Sequence, residues 1–294
     1  MLRKKEINEE TTQLEVLGTI TNVYGQVASF WMKNAGDSII KSRGFLDEMH
    51  EVFNTVFASY SQQVKALARR KKANKNGHIT FLAHNGKNVG VFLSAGTGFY
   101  GEIVKKTFEL FIKEVREKDL EVTIVGRQGL FFFLNEEPKR PYTFFDFPDE
   151  KVDQAQLTEL VKHLVPYEEI RIYHGKFNNF LSQEPVVLRI SADPYSELQE
   201  EQKKPKYYLF EPDIEKILVY FEKEIFTSLF EQSIRESQMA KFGSRLMVMD
   251  QAGENIKEEL KKMEQERRKL THRINNGKQI NQFASMSLWN RNVG

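Results

Sequence analysis

Three glycines in one short span are the arrangement in this sequence that most suggests chemistry. Gly96, Gly98 and Gly101, in Ser94-Ala-Gly-Thr-Gly-Phe-Tyr-Gly101, fit the pattern G-x-G-x-x-G, after an apolar run and before an amphipathic segment. In a dinucleotide-binding fold, such glycines let backbone amides approach a pyrophosphate at a helix N-terminus. The next predicted strand should then end in an acidic residue that binds the ribose. It ends Val125-Gly126-Arg127 instead, and an Arg suits a 2′-phosphate only weakly. The Gly-Lys-Ser/Thr ending of a P-loop is also missing. The competing reading is a tight strand-to-helix turn in which glycine permits close packing.

Other candidate groups are poorer still. The six histidines (His50, His78, His84, His163, His174, His272) show no metal-ligand spacing. There is no Gly-x-Ser-x-Gly, and nothing around Ser182 marks it as a nucleophile. The absence of cysteine removes disulfides, thiolate metal sites and cysteine nucleophiles. The carboxylates lie in charge-mixed segments that read as solvated helix faces. The basic run Arg69-Arg70-Lys71-Lys72 reads as a solvated helix end and linker, not as a nucleic-acid or lipid site. The expectation is therefore no catalytic residue, no metal and no cofactor on this chain. A net charge of +2 over 294 residues gives no global field that would attract nucleic acid or a membrane surface. No apolar run approaches the roughly 20 residues of a membrane span. The start, Met-Leu-Arg-Lys-Lys-Glu, does not lead into a signal-peptide core. These features predict a cytoplasmic chain that reaches a membrane only through a complex.

The elements around these groups are dominated by the two ends. Met239, Phe242, Leu246, Met249, Ile256, Leu260, Met263, Leu270 and Ile274 alternate spacings of three and four, with Gly253 and Arg267 in the gaps. That is a coiled-coil seam, on a helix predicted from Asp213 to about Ile274. At the other end Leu14, Leu17, Thr21, Tyr24, Ala28 and Trp31 repeat the spacing, with Ile20, Val23, Val27 and Phe30 widening the stripe. Two heptad segments at opposite ends of one chain predict that they pair with each other; a dimeric coiled coil is the alternative. Between them the character changes. Residues 77–84, 88–94, 121–126, 170–173, 185–190 and 207–210 read as strands, and 102–118 and 154–164 as helices. The fold class predicted is an α/β domain inserted in a long antiparallel two-helix coiled coil formed by the terminal segments. Its parts are an N-terminal shaft helix at 1–72, an α/β domain at 73–210 and a C-terminal shaft helix at 211–294. Phe131-Phe-Phe133 and Phe144-Phe145 read as core or subunit contacts. Asn275-Asn-Gly-Lys278 carries a turn signal that would break the last helix.

Several patches resemble the γ subunit of F-type ATP synthases. Ile20-Thr21 and Val27-Ala28-Ser29 are similar to an N-terminal motif of that family. The glycine turn sits where the family has Ser-Asp-Arg-Gly-Leu-Cys-Gly. Val125-Gly126-Arg127-Gln-Gly129 resembles its Ile-Gly-Arg-Lys-Gly, and Phe180-Leu-Ser-Gln-Glu-Pro185-Val-Val resembles a stretch before a late strand. Glu211-Pro212-Asp213 precedes the last helix as in the family. Ser244-Arg-Leu-Met-Val-Met-Asp-Gln-Ala-Gly-Glu-Asn255 tracks its Ser-Arg-Met-x-Ala-Met-x-x-Ala-x-x-Asn. The resemblance implies a central rotor shaft that couples rotation to ATP synthesis or hydrolysis in a ring of α and β subunits. No chemistry occurs on such a shaft. It further implies partners at an ε-like subunit and a membrane rotor ring, on the peripheral face of the cell membrane. By the same carry-over Tyr24, Arg267, Arg268 and Lys269 would touch the α/β ring, and Tyr208, Phe210 and Glu211 would lie at the foot, near the rotor ring. Departures are also present. The family's early basic residues are here Asn8, Glu9 and Glu10. Its Lys-rich segment is replaced by Phe30-Trp31-Met32. The Gln of its Arg-Gln pair appears as Lys269. These departures suggest a γ-like subunit of a specialised ATP-hydrolysing motor as a variant reading, and a coiled-coil scaffold with an α/β head remains the non-rotary one.

Overall fold

The computed structural model describes residues 2–70, 85–150, 153–179, 182–191 and 213–291. In chain order the elements are α1 (Leu2–Arg70), β1 (Asn88–Leu93), α2 (Ile103–Lys118), β2 (Glu121–Val125), α3 (Arg127–Glu136), β3 (Thr143–Phe145), α4 (Gln154–Leu164), β4 (Glu169–Asn179), β5 (Ser182–Ser191) and α5 (Ile214–Arg291). By compactness the chain forms two units. One is Met1–Val27 with Leu246–Gly294, and the other is Ala28–Arg245. The expected boundaries at 72/73 and 210/211 lie outside the described residues.

The smaller unit is an antiparallel helix pair. Ile7, Thr11, Leu14, Gly18, Thr21 and Gly25 are the covered positions of α1 there, again at spacings of four and three. On α5 the seam positions Met249, Gly253, Ile256, Leu260, Met263, Leu270 and Ile274 are covered, with Arg267 exposed. A Cβ built at Gly18 would lie 3.5 Å from Ile256, and one at Gly25 3.7 Å from Met249. The α5 seam is the one the sequence predicts. The α1 seam is shifted: Gly18 and Gly25 take the places expected of Leu17 and Tyr24, which are 51% and 40% exposed. Hydrophobicity marks the larger neighbour, whereas a seam position can be filled by a residue without any apolar side chain. The Asn275–Lys278 turn signal is also overridden, because α5 runs unbroken to Arg291.

Because both glycines leave room for a methyl group at ordinary contact distance, Gly18→Ala and Gly25→Ala should each stabilise α1, by up to ~1 kcal/mol. Thermal melts of the single and double variants should rise stepwise; a fall would show that the glycines serve close packing.

The larger unit is built on a five-stranded sheet in the order β3-β2-β1-β4-β5, parallel except for the antiparallel β4–β5 hairpin. Strands buried on both faces read as near-continuous apolar runs, as Val89 to Leu93 does. On one face Val89, Val91, Leu93, Ile170 and Ile172 pack with Leu157, Leu160, Val161 and Leu164 of α4 and with Phe226, Phe230 and Ile234 of α5. On the other, Phe92 stacks on Phe111 at 5.3 Å, and Tyr173 meets the same ring edge-on at 5.2 Å. Phe132 and Phe133 of α3 join this aromatic layer, while Phe131 is exposed. Helix α3 and strand β3 go beyond the elements expected from sequence. The expected strands at 77–84 and 207–210 lie outside the described residues.

Two histidines of this unit set a pH dependence. Burial lowers the affinity of His163 and His174 for a proton, against Glu121 in the first case. In the second, the carbonyl of Gly175 and the charge of Glu236 oppose burial, and Lys176 adds to it. In the unfolded chain both protonate below about pH 6.5. Stability from their burial is therefore complete above that pH and is lost as pH falls toward the lower folded-state values. The melting temperature should fall between pH 7.5 and 5.5, and His174→Gln should lose less over that range. Equal losses in both proteins would contradict this.

Candidate functional site

The glycine turn is the natural place to look for a bound anion, and in the fold it already holds one. Strand β1 ends at Leu93 and α2 starts at Ile103. Between them the chain turns with φ of +65° at Phe99 and +58° at Gly101. The amide of Gly96 donates to both carboxylate oxygens of Asp149, at 3.0 and 2.9 Å, and the amide of Thr97 donates to Oδ2 at 2.9 Å. The Thr97 hydroxyl adds a fourth bond at 3.0 Å. Consecutive backbone amides in a tight turn make an anion-binding concavity; here its occupant is a side chain of the same protein.

Helix α5 closes the site from the other side. Lys241 Nζ reaches Asp149 Oδ1 at 3.0 Å and the carbonyl of Ser94 at 2.7 Å. Gln238 donates to the Asp149 backbone carbonyl at 3.0 Å. Arg245 donates to the Thr97 hydroxyl at 2.8 Å and to the Gly98 carbonyl at 2.6 Å, and its guanidinium lies 3.8 Å from the centre of the Tyr100 ring, a cation–π distance. All five side chains are nearly excluded from solvent: Asp149 3%, Gln238 3%, Lys241 7%, Arg245 4% and Tyr100 2% exposed. Burial works against the charge on Asp149, yet Lys241 and the two loop amides hold its carboxyl below the ordinary range. Burial and the nearby Asp149 push the Tyr100 phenol far up, so it stays neutral.

This arrangement argues against the dinucleotide reading of Gly96, Gly98 and Gly101. The amides that would cradle a pyrophosphate are already bonded to a carboxylate, and a phosphate would have to displace a buried ion pair. Arg127, the residue weighed for a 2′-phosphate, bonds Asp146 at 2.6 Å. Among the described residues no group of three His, Cys, Asp or Glu side chains could hold a metal ion.

The remaining sequence candidates fall on the helix pair or outside the described residues. Tyr24 is exposed on α1, within an apolar stripe of Val16, Leu17, Ile20, Val23 and Val27. Arg267 and Arg268 line one groove with Lys4, Asn8, Thr271 and His272. Arg268 also pairs with Glu264 at 2.6 Å, both side chains well exposed. Lys269 is exposed beside them. Tyr208, Phe210 and Glu211 lie outside the described residues. Sequence reasoning did not single out Asp149, Lys241 or Tyr100 as site residues. Lys241 was detectable as a charge set among Met239, Ala240 and Phe242; nothing near Asp149 announces its role.

No described helix is long and apolar enough to cross a membrane. A family model described as ATP synthase matches residues 3–271. Among curated relatives, an ATP synthase gamma chain of Mycoplasma capricolum is 24% identical over 258 residues, covering 85% of this chain and 86% of the relative. One of Psychrobacter arcticus is 22% identical over 267 residues, covering 87% and 88%. Among solved structures, the central stalk and c-ring assembly of the Tetrahymena thermophila mitochondrial ATP synthase contains a chain similar in fold, with a TM-score of 0.54 at 15% identity over 79% of this chain and 99% of that one.

Proposed function

We propose that this chain, which belongs to the ATP synthase family, is the central rotor shaft, or γ subunit, of an F-type rotary ATPase, coupling rotation to ATP turnover in a surrounding ring of α and β subunits. The observation that carries this reading is the antiparallel pair of α1 and α5, continuous over 69 and 78 residues, with the α/β head set between them in sequence. A rotor needs stiffness against bending and twisting. An interlocked seam provides it, since each covered residue is held by neighbours of the facing helix.

It also needs a surface that turns inside a sleeve without binding tightly at one angle. The exposed apolar stripe from Val16 to Val27 offers non-directional contact. Exposed Arg267, Arg268 and Lys269 offer charge-assisted bonds that form and break as the shaft turns, each worth little in water. In this reading Tyr24, Arg267, Arg268 and Lys269 meet the α/β ring. Tyr208, Phe210 and Glu211 meet the foot, where an ε-like subunit and a membrane rotor ring attach on the peripheral face of the cell membrane. The chain performs no chemistry and needs no cofactor; the ATP sites belong to its partners.

The variant reading, a γ-like subunit of a specialised ATP-hydrolysing motor, rests on the departures from the family pattern at Asn8, Glu9, Glu10, Phe30-Trp31-Met32 and Lys269. Phe30, where the resemblance expects a Lys-rich segment, is 59% exposed and lengthens the apolar stripe. Affinity purification of the tagged chain from its own cells tests the common ground of both. Recovery of α and β ATPase subunits in fixed ratio is the expected result. Recovery of a homodimer alone would favour the scaffold reading instead.

A further inference from the structure

We infer that the cluster of Asp149, Lys241 and Arg245 is the joint through which torque passes between helix α5 and the α/β head, with Asp149 acting as a chain-borne anion that fixes the rotational setting of the helix. The inference rests on the shaft reading and concerns how the shaft holds its load.

A helix held by apolar contacts alone is weakly indexed. Burying an apolar face decides which side of the helix meets its neighbour, but apolar contact is non-directional and sets the exact angle less sharply. Polar anchors differ. Gln238, Lys241 and Arg245 are spaced three and four apart, so they lie along one face of α5. Each ends on a fixed point of the head: the Asp149 carbonyl, the Asp149 carboxylate with the Ser94 carbonyl, and the Thr97 hydroxyl with the Gly98 carbonyl. Turning α5 by one residue would pull all three away from these points together and break the buried Asp149–Lys241 ion pair. Fixing register is the best-attested use of buried polar groups.

The same stretch of helix is also locked by shape. A Cβ at Gly175 of β4 would lie 3.1 Å from Ala240, and a Cβ at Gly243 would lie 2.8 Å from the Phe177 ring. Helix and sheet thus meet closely at residues 240–243, between the polar anchors. Such a joint resists twist, whereas its burial makes it insensitive to ionic strength.

The test uses the assembled complex, fixed through its α/β ring. The chain has no cysteine, so Lys113→Cys on α2 gives a single attachment point on the head for a bead. The Lys113→Cys chain with Asp149 intact should turn the bead under load. Asp149→Ala should hydrolyse ATP at a similar rate but slip at lower load, and amide exchange across 238–245 should quicken by about 100-fold as the anchors open. Unchanged stall load in that variant overturns the joint while leaving the shaft reading intact. A bead on the Lys113→Cys chain with Asp149 intact that never turns overturns the shaft reading itself. Should Asp149→Ala assemble poorly, formate added to refill the anion position should restore both assembly and stall load, and failure at every formate concentration also overturns the joint.

Discussion

Asp149→Ala is expected to lower the free energy of unfolding by about 3–5 kcal/mol, the range for breaking one side of a buried ion pair. The cost comes less from a lost attraction than from what is left behind. The Lys241 ammonium would keep only the Ser94 carbonyl, and the amides of Gly96 and Thr97 would face a void. Lys241→Met should cost less, because the four bonds from the turn to Asp149 survive it and the methionine fills the space of the lysine stem. The double variant should be more stable than the two single losses predict, since neither charge is then stranded. Urea unfolding followed by near-ultraviolet circular dichroism reads all three. Strict additivity would mean that the two side chains do not act as a pair. The pair also adds to acid sensitivity. The Asp149 carboxyl titrates lower in the folded chain than in the unfolded one, so its contribution is present above about pH 4 and is lost as pH falls further.

Gly126→Ala is the second large effect, with an expected loss of at least ~3 kcal/mol from combined backbone strain and steric overlap. Gly126 has φ of +101°, a region that side chains with a Cβ avoid. A Cβ there would also lie 2.8 Å from the carbonyl oxygen of Ala95 and 2.9 Å from its nitrogen. Neither is the movable end of a side chain. The strand must turn sharply at this point so that Gly126 can donate to Phe145 and Gln128 to Ala95, which seats α3 beside the glycine turn. Gly98→Ala is the matched control. No atom lies within 4 Å of its Cβ position, and its melting temperature should stay close to that of wild type. If both glycines tolerate alanine equally, the account of the Val125-Gly126-Arg127 turn is wrong.

These two positions show how far the sequence could be read. The α5 seam was legible because Met249, Ile256, Leu260 and Met263 are large and apolar, and period alone exposes them. The α1 seam was misplaced by one residue at Leu17 and Tyr24, because Gly18 and Gly25 carry no apolar signal although they sit on the seam. Strand β3 is three residues long, too short for a period to register. The glycine turn was visible as a motif, but its meaning depended on Asp149, 53 residues beyond Gly96. A pairing over that separation is made by topology, when β1, β2 and β3 align in parallel and bring the loop after β3 to the end of β1. Lys241 and Arg245 follow the same logic from the far end of the chain. The resemblance to the γ family supplied the function, and the seam supplied the shaft. The buried cluster of Asp149, Lys241 and Arg245 emerged only from the fold.

As the γ subunit, this chain turns within an α/β ring as ATP is consumed. That rotation is tested most directly by adding the purified chain to its α and β partners and following ATP hydrolysis and rotation of a bead on Lys113→Cys in the same preparation. The expected result is no hydrolysis by the chain alone, stimulation of the ring when it is added, and unidirectional rotation that stops when ATP is exhausted. A ring whose hydrolysis is unchanged by the chain, with a bead showing only thermal motion, would contradict it.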